Sequence, residues 1–122
     1  MEVFDDDPRM RSDRREIRPL FLVDVISTEQ LGIVRFAGEL DSSTVARAEG
    51  RAREALERMT AQRLVIDMSE VTFCDSSGLT VLLRLNLAAR AAGREVVIYR
   101  PRPQVRRIIE ITDLQAVLTI ED

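Results

Sequence analysis

The sequence predicts one α/β domain: a mixed, mostly parallel sheet of four to five strands after an N-terminal hairpin, packed with three or more helices. Three observations carry this. Apolar runs of strand length recur at residues 20–25, 33–37, 64–66, 96–99 and 117–120. Amphipathic stretches with three- and four-residue spacing separate the later runs, and strands alternating with helices favour a parallel sheet. The chain of 122 residues has room for one core.

Residues 1–18 show no hydrophobic period and are crowded with charges of both signs, so a flexible leader is expected there and the domain over 19–122. An extension with no role and an arm touching a partner both fit such a leader. Phe21, Val23 and Val25 alternate with Leu22 and Asp24 to give a first strand. Gly32 closes a short turn, and Ile33-Val34-Arg35-Phe36-Ala37 follows as its antiparallel neighbour. Gly38-Glu39-Leu40-Asp41 ends that strand. Ser42, Ser43 and Thr44 are candidates to cap the next helix, since their hydroxyls accept the free N–H groups of a first turn. Val45, Ala48, Ala52, Leu56 and Met59 then form the apolar stripe of a helix laid on the sheet.

Leu64-Val65-Ile66 predicts a strand in the sheet centre or buried on both faces, and after Asp67 a loop is expected to lead to Phe73 and Cys74. A second helix is expected over about 77–92, stopped by Gly93. Val96-Val97-Ile98-Tyr99 is the next buried strand. Pro103 suits a helix's first turn, and Val105, Ile108 and Ile109 give that helix its stripe. Asp113 breaks it before a last short strand. Leu79, Leu82, Leu83 and Asn86 of the second helix share a face, yet Val81, Leu85, Leu87 and Ala88 spread around the remainder. Two explanations fit: a docking surface, or burial under the third helix.

Composition narrows the chemistry. Histidine is absent, which removes Ser-His and Cys-His nucleophile pairs and histidine metal sites; lysine is absent too, all 18 basic residues being arginine. No enzyme, cofactor or metal is expected. A net charge of −3 with 4% aromatic residues gives little reason to bind nucleic acid. The single cysteine, Cys74, cannot form an internal disulfide and reads as a small buried hydrophobe. Asp5, Asp6 and Asp7 stand where a signal peptide needs basic and apolar residues, and no run approaches the ~20 apolar residues that span a bilayer. A cytoplasmic protein without membrane contact is expected.

Parallel strands deliver their C-terminal loops to one edge, where partners usually dock. Two polar loops reach it: Gly38-Glu39-Leu40-Asp41-Ser42-Ser43 and Cys74-Asp75-Ser76-Ser77-Gly78. The second is also a helix start, whose free N–H groups and dipole favour an anion such as a phosphate ester on Ser76. Gly78, lacking a Cβ, would let another backbone or a nucleotide approach. Asp75, Ser76 and Ser77 are equally the residues that merely cap a helix. Glu39 and Asp41 read as turn and cap carboxylates rather than catalytic ones.

The segments Gly38-Glu39-Leu40-Asp41, Leu64-Val65-Ile66-Asp67-Met68 and Phe73-Cys74-Asp75-Ser76-Ser77-Gly78-Leu79, in this order, resemble the STAS domain of bacterial anti-sigma factor antagonists over roughly residues 20–121. The resemblance implies an antagonist that binds an anti-sigma factor with serine kinase activity and so releases a sigma factor; a monomer is expected. Phosphorylation on Ser76 would end that complex, and a PP2C-type phosphatase would reset it. Glu39, Asp41, Ser42, Asp75, Ser77, Gly78, Thr80 and Arg84 are the expected partner surface. An accessory or scaffold subunit of a transporter or larger signalling assembly is the alternative. Cys74 departs from the larger apolar residue usual before the aspartate, and the charged leader is longer than a minimal antagonist needs.

Overall fold

The computed structural model describes residues 20–122, so the leader expected over 1–18 lies outside the described residues. Five strands, β1 (Leu22–Ser27), β2 (Gly32–Leu40), β3 (Arg63–Cys74), β4 (Glu95–Tyr99) and β5 (Thr119–Glu121), form one sheet in sequential order. Helices α1 (Val45–Arg58), α2 (Ser76–Ala91) and α3 (Pro103–Ile111) connect the strands from β2 onward, with a 3-10 turn at Leu114–Ala116. β1 and β2 pair antiparallel and every later pair is parallel, as the sequence predicts.

Each crossover steps one strand in the same direction. Right-handed connections of that kind place all their helices on one face. The core shows the consequence. Val34 and Phe36 of β2, Leu64, Ile66 and Met68 of β3, and Val96 and Ile98 of β4 share a face by register and join one buried cluster. Ala48, Ala52 and Leu56 of α1, Leu79, Leu82 and Leu85 of α2, and Val105 and Ile109 of α3 complete it.

Among the described residues, no helix covers the other face. There Ile33 and Val65 are only half-buried, so the central strand is not sandwiched between two helix layers. Arg35 spans from β2 to Asp67 on β3 at 3.1 Å, and Arg63 reaches Glu95 and Glu121 at 3.1 and 2.7 Å. Burial alone would raise the Asp67 pKa. Hydrogen bonds from the Ser69 hydroxyl and N–H, together with Arg35, outweigh it and hold the carboxyl below the usual carboxylate range.

Three expectations are corrected. The loop expected between Asp67 and Cys74 is strand, because β3 continues without a break to Cys74 beside β2. Two register shifts in the pairing interrupt the simple alternation that would have marked it. The expected capping hydroxyls do not cap α1: Thr44 holds the N-cap position, but its hydroxyl donates to the Glu39 carbonyl at 2.8 Å. The surplus apolar face of α2 is buried, yet under α1 rather than α3; α1 and α2 pack on one another while α3 lies on β3. Leu87 is the exception and stays exposed. Asn86 is buried, and its amide nitrogen has no partner among the described residues.

Candidate functional site

β2 and β3 outrun the sheet's other strands and end side by side, with Leu40 opposite Cys74. The Asp75 N–H donates to the Leu40 carbonyl at 3.2 Å, so the two loops predicted to converge do meet. Gly38, at φ 109°, makes this edge compact. A Cβ there would lie 2.8 Å from the Leu20 carbonyl oxygen, which only glycine permits.

Asp75 is the N-cap of α2. Its Oδ1 accepts from the Ser77 N–H at 3.0 Å, the Gly78 N–H at 3.1 Å and the Ser77 hydroxyl at 2.5 Å. Ser77 is therefore held by the cap. Ser76, the first helical residue, is exposed, and its hydroxyl has no hydrogen bond among the described residues. The two adjacent serines are thus chemically alike and structurally unlike.

Gly78 is buried. Its closest neighbours are internal: a Cβ would sit 2.7 Å from the Cys74 sulfur and 2.8 Å from the Leu40 oxygen. The approaching backbone belongs to this chain, not to a partner or nucleotide. The Cys74 thiol is fully buried, and burial first, then the Asp75 charge, pushes its pKa up to about 12. It remains a protonated apolar filler near neutral pH.

The remaining predicted residues divide between the two loops and the α1–α2 cleft. Asp41 accepts from the Ser43 N–H at 2.9 Å and hydroxyl at 2.7 Å, which shapes the turn into α1; Ser42 projects beside it and is exposed. Glu39 lies opposite Phe73 at the end of β2. Thr80 is exposed, its hydroxyl donating to the Ser76 carbonyl at 3.0 Å. Arg84 makes a two-pronged bond to Glu49 of α1, at 2.9 and 3.3 Å, and Arg53 joins at 3.0 Å. The Arg84 hydrogen bond, aided by Arg53, holds the Glu49 carboxyl below its ordinary range despite burial. A cleft of about 300 Å³ lies between the two helices, lined by Val45, Glu49, Ser77, Thr80 and Arg84 among others.

Two residues escaped the sequence reading. Glu49 ties α1 to Arg84, a contact between helices that no local spacing announces. Phe73, expected only as the residue to which a loop leads, is a strand residue with its ring exposed three positions before Ser76. Among the described residues, no three potential metal ligands gather, and no helix is long and apolar enough to cross a membrane.

Fold and edge define the class: a two-layer α/β domain that presents a serine-bearing helix start at the carboxyl edge of its sheet. Residues 23–122 match the STAS domain family, and the chain belongs to it. It is 31% identical to the anti-sigma F factor antagonist of Paenibacillus polymyxa over 74% of this chain and 77% of that protein. Its fold is similar to the solved structure of the anti-sigma factor antagonist SpoIIAA in its unphosphorylated form, with TM-score 0.67, 21% identity and coverage of 83% and 87% of the two chains. The phosphorylated form of SpoIIAA, a Bacillus cell fate determinant, matches with TM-score 0.62 and 20% identity over 83% of this chain and 90% of that one.

Proposed function

We propose that this STAS domain is an anti-sigma factor antagonist switched by phosphorylation of Ser76. Unphosphorylated and monomeric in the cytoplasm, it binds an anti-sigma factor with serine kinase activity and so frees a sigma factor. In the kinase, the Ser76 oxygen bonds to the γ-phosphorus of ATP, ADP leaves, and the hydroxyl proton passes to a base of the kinase. A PP2C-type phosphatase hydrolyses the ester and restores the binding form. The observation that carries this reading is the difference between the two serines: Asp75 holds the Ser77 hydroxyl, while Ser76 stands exposed with its hydroxyl unengaged among the described residues. The names of the similar proteins support it, and SpoIIAA exists in both phosphorylation states.

The charge balance explains the switch. Phosphate adds about −1.5 to −2 charge beside Asp75 and close to Asp41, which follow the paired residues Cys74 and Leu40. At an effective dielectric near 20, like unit charges ~4 Å apart repel by roughly 4 kcal/mol. A kinase carboxylate facing Ser76 meets that repulsion, and a few kcal/mol weakens binding by about two to three orders of magnitude. No rearrangement of the domain is required.

The test is intact-mass analysis after incubation with ATP and a lysate of the protein's own host. Wild type and Ser77→Ala are expected to gain one phosphate, and Ser76→Ala none. Ser76→Ala is expected to retain the kinase on an affinity column, and Ser76→Asp to bind at least about tenfold more weakly. Phosphate appearing on Ser76→Ala, or equal binding by Ser76→Asp, would refute the proposal.

A further inference from the structure

We infer that Phe73, with Leu22 and Leu20 on the same sheet face across β2, is the apolar anchor by which the serine kinase grips this chain, an inference that rests on Ser76 being the phosphate acceptor. Side chains alternate along a strand. Leu40 and Cys74 point into the core, so their neighbours Glu39 and Phe73 lie on the face that no helix of the described residues covers. Phe73 is 41% exposed there. Leu22, 50% exposed, occupies the same face through its pairing with Ala37, two residues before Glu39. The close approach of the Leu20 carbonyl to Gly38 brings Leu20, 78% exposed, to the same corner.

The position of this corner names its occupant. Two residues, Cys74 and Asp75, separate Phe73 from Ser76, so their Cα atoms, three steps apart along the chain, lie within about 11 Å of one another. A stable interface covers about 800 Å² per partner, a disc of roughly 15 Å radius. A kinase that seats the Ser76 hydroxyl at its ATP site therefore overlies Phe73 as well. Aromatic rings near the centre of an interface carry a disproportionate share of its affinity. The partner surface that fits is an apolar pocket adjoining the kinase's ATP site, which closes over the Phe73 ring while the edge of the sheet delivers Ser76. Docking and phosphoryl transfer are then separable, with Phe73 serving the first and Ser76 the second.

The experiment is the initial rate of Ser76 phosphorylation by the kinase activity of the host lysate, with ATP, at increasing concentrations of the chain. Phe73→Ala is expected to raise the half-saturating concentration about tenfold with the maximal rate unchanged, and Phe73→Leu to fall between it and wild type. Ile111→Ala removes an exposed apolar side chain at the far end of α3 and is expected to change neither quantity. Melting curves report whether each variant folds; should Phe73→Ala fail to fold, Leu22→Ser on β1 takes its place and is expected to raise the same concentration. Superimposable rate curves for wild type and the folded variant overturn this inference and leave Ser76 as acceptor. No phosphate on wild-type Ser76 overturns both.

Discussion

A single methyl group would disturb the helix start at position 78, where the Leu40 oxygen and the Cys74 sulfur already lie within 2.8 Å of any added Cβ. Gly78→Ala is expected to cost about 1–3 kcal/mol, measured as a lower denaturant midpoint, because a backbone carbonyl cannot move aside. In sequence, this glycine suggested room for a partner. The Cys74 sulfur is a near neighbour in sequence, but the Leu40 carbonyl comes from β2, folded back from far away, and no local pattern carries it. The two serines were closer to legible. A capping side chain bonds the N–H groups of the second or third helical residue. Once Asp75 is the cap, Ser77 and Gly78 are those residues and Ser76 is left outside. The spacing predicts a helix from about Ser77, one residue after its observed start, and so leaves the choice between capping and switching open.

At the scale of the element, Asp75 makes α2 begin where it does. Asp75→Ala is expected to lower stability by about 0.5–2 kcal/mol, seen in urea denaturation. It also releases the Ser77 hydroxyl, so fragment mass spectrometry of the phosphorylated variant should find modification on Ser77 as well as Ser76. Phosphate confined to Ser76 in this variant would mean that position, not engagement by the cap, selects the acceptor. The broad apolar arc of α2 follows from its two neighbours, the sheet and α1, with the Glu49–Arg84 bond clasping the helices at the rim. Its composition disclosed that more than one surface was buried but not which helix buried the second. β3 escaped recognition over its C-terminal half for a related reason. Ser69, Glu70, Thr72 and Phe73 look like loop in sequence because the face they meet is open to solvent, and register shifts break the period.

For the whole molecule, Asp67 and Glu49 couple stability to pH. Both carboxyls titrate below their ordinary values in the folded chain, so the unfolded chain takes up protons first as pH falls. The stability they contribute is fully present above the unfolded values, about 4, and is lost as pH drops through the lower folded ones. Urea midpoints are expected to hold from neutral pH to about 5 and then fall. Asp67→Asn should be less stable near neutrality and show a shallower fall below about pH 4, since only the native aspartate loses its bonds to Ser69 and Arg35 there. The sequence by itself determined the order of strands and helices, the antiparallel start, the parallel continuation and the meeting of two polar loops at one edge. These depend on periodicity, short connections and the handedness of crossovers, all written locally along the chain. Tertiary structure alone decided which sheet face stays uncovered, that Phe73 lies exposed on it, that Gly78 packs inward and that Arg84 holds Glu49. Each of those joins residues distant in sequence, and only the packed chain brings them within reach.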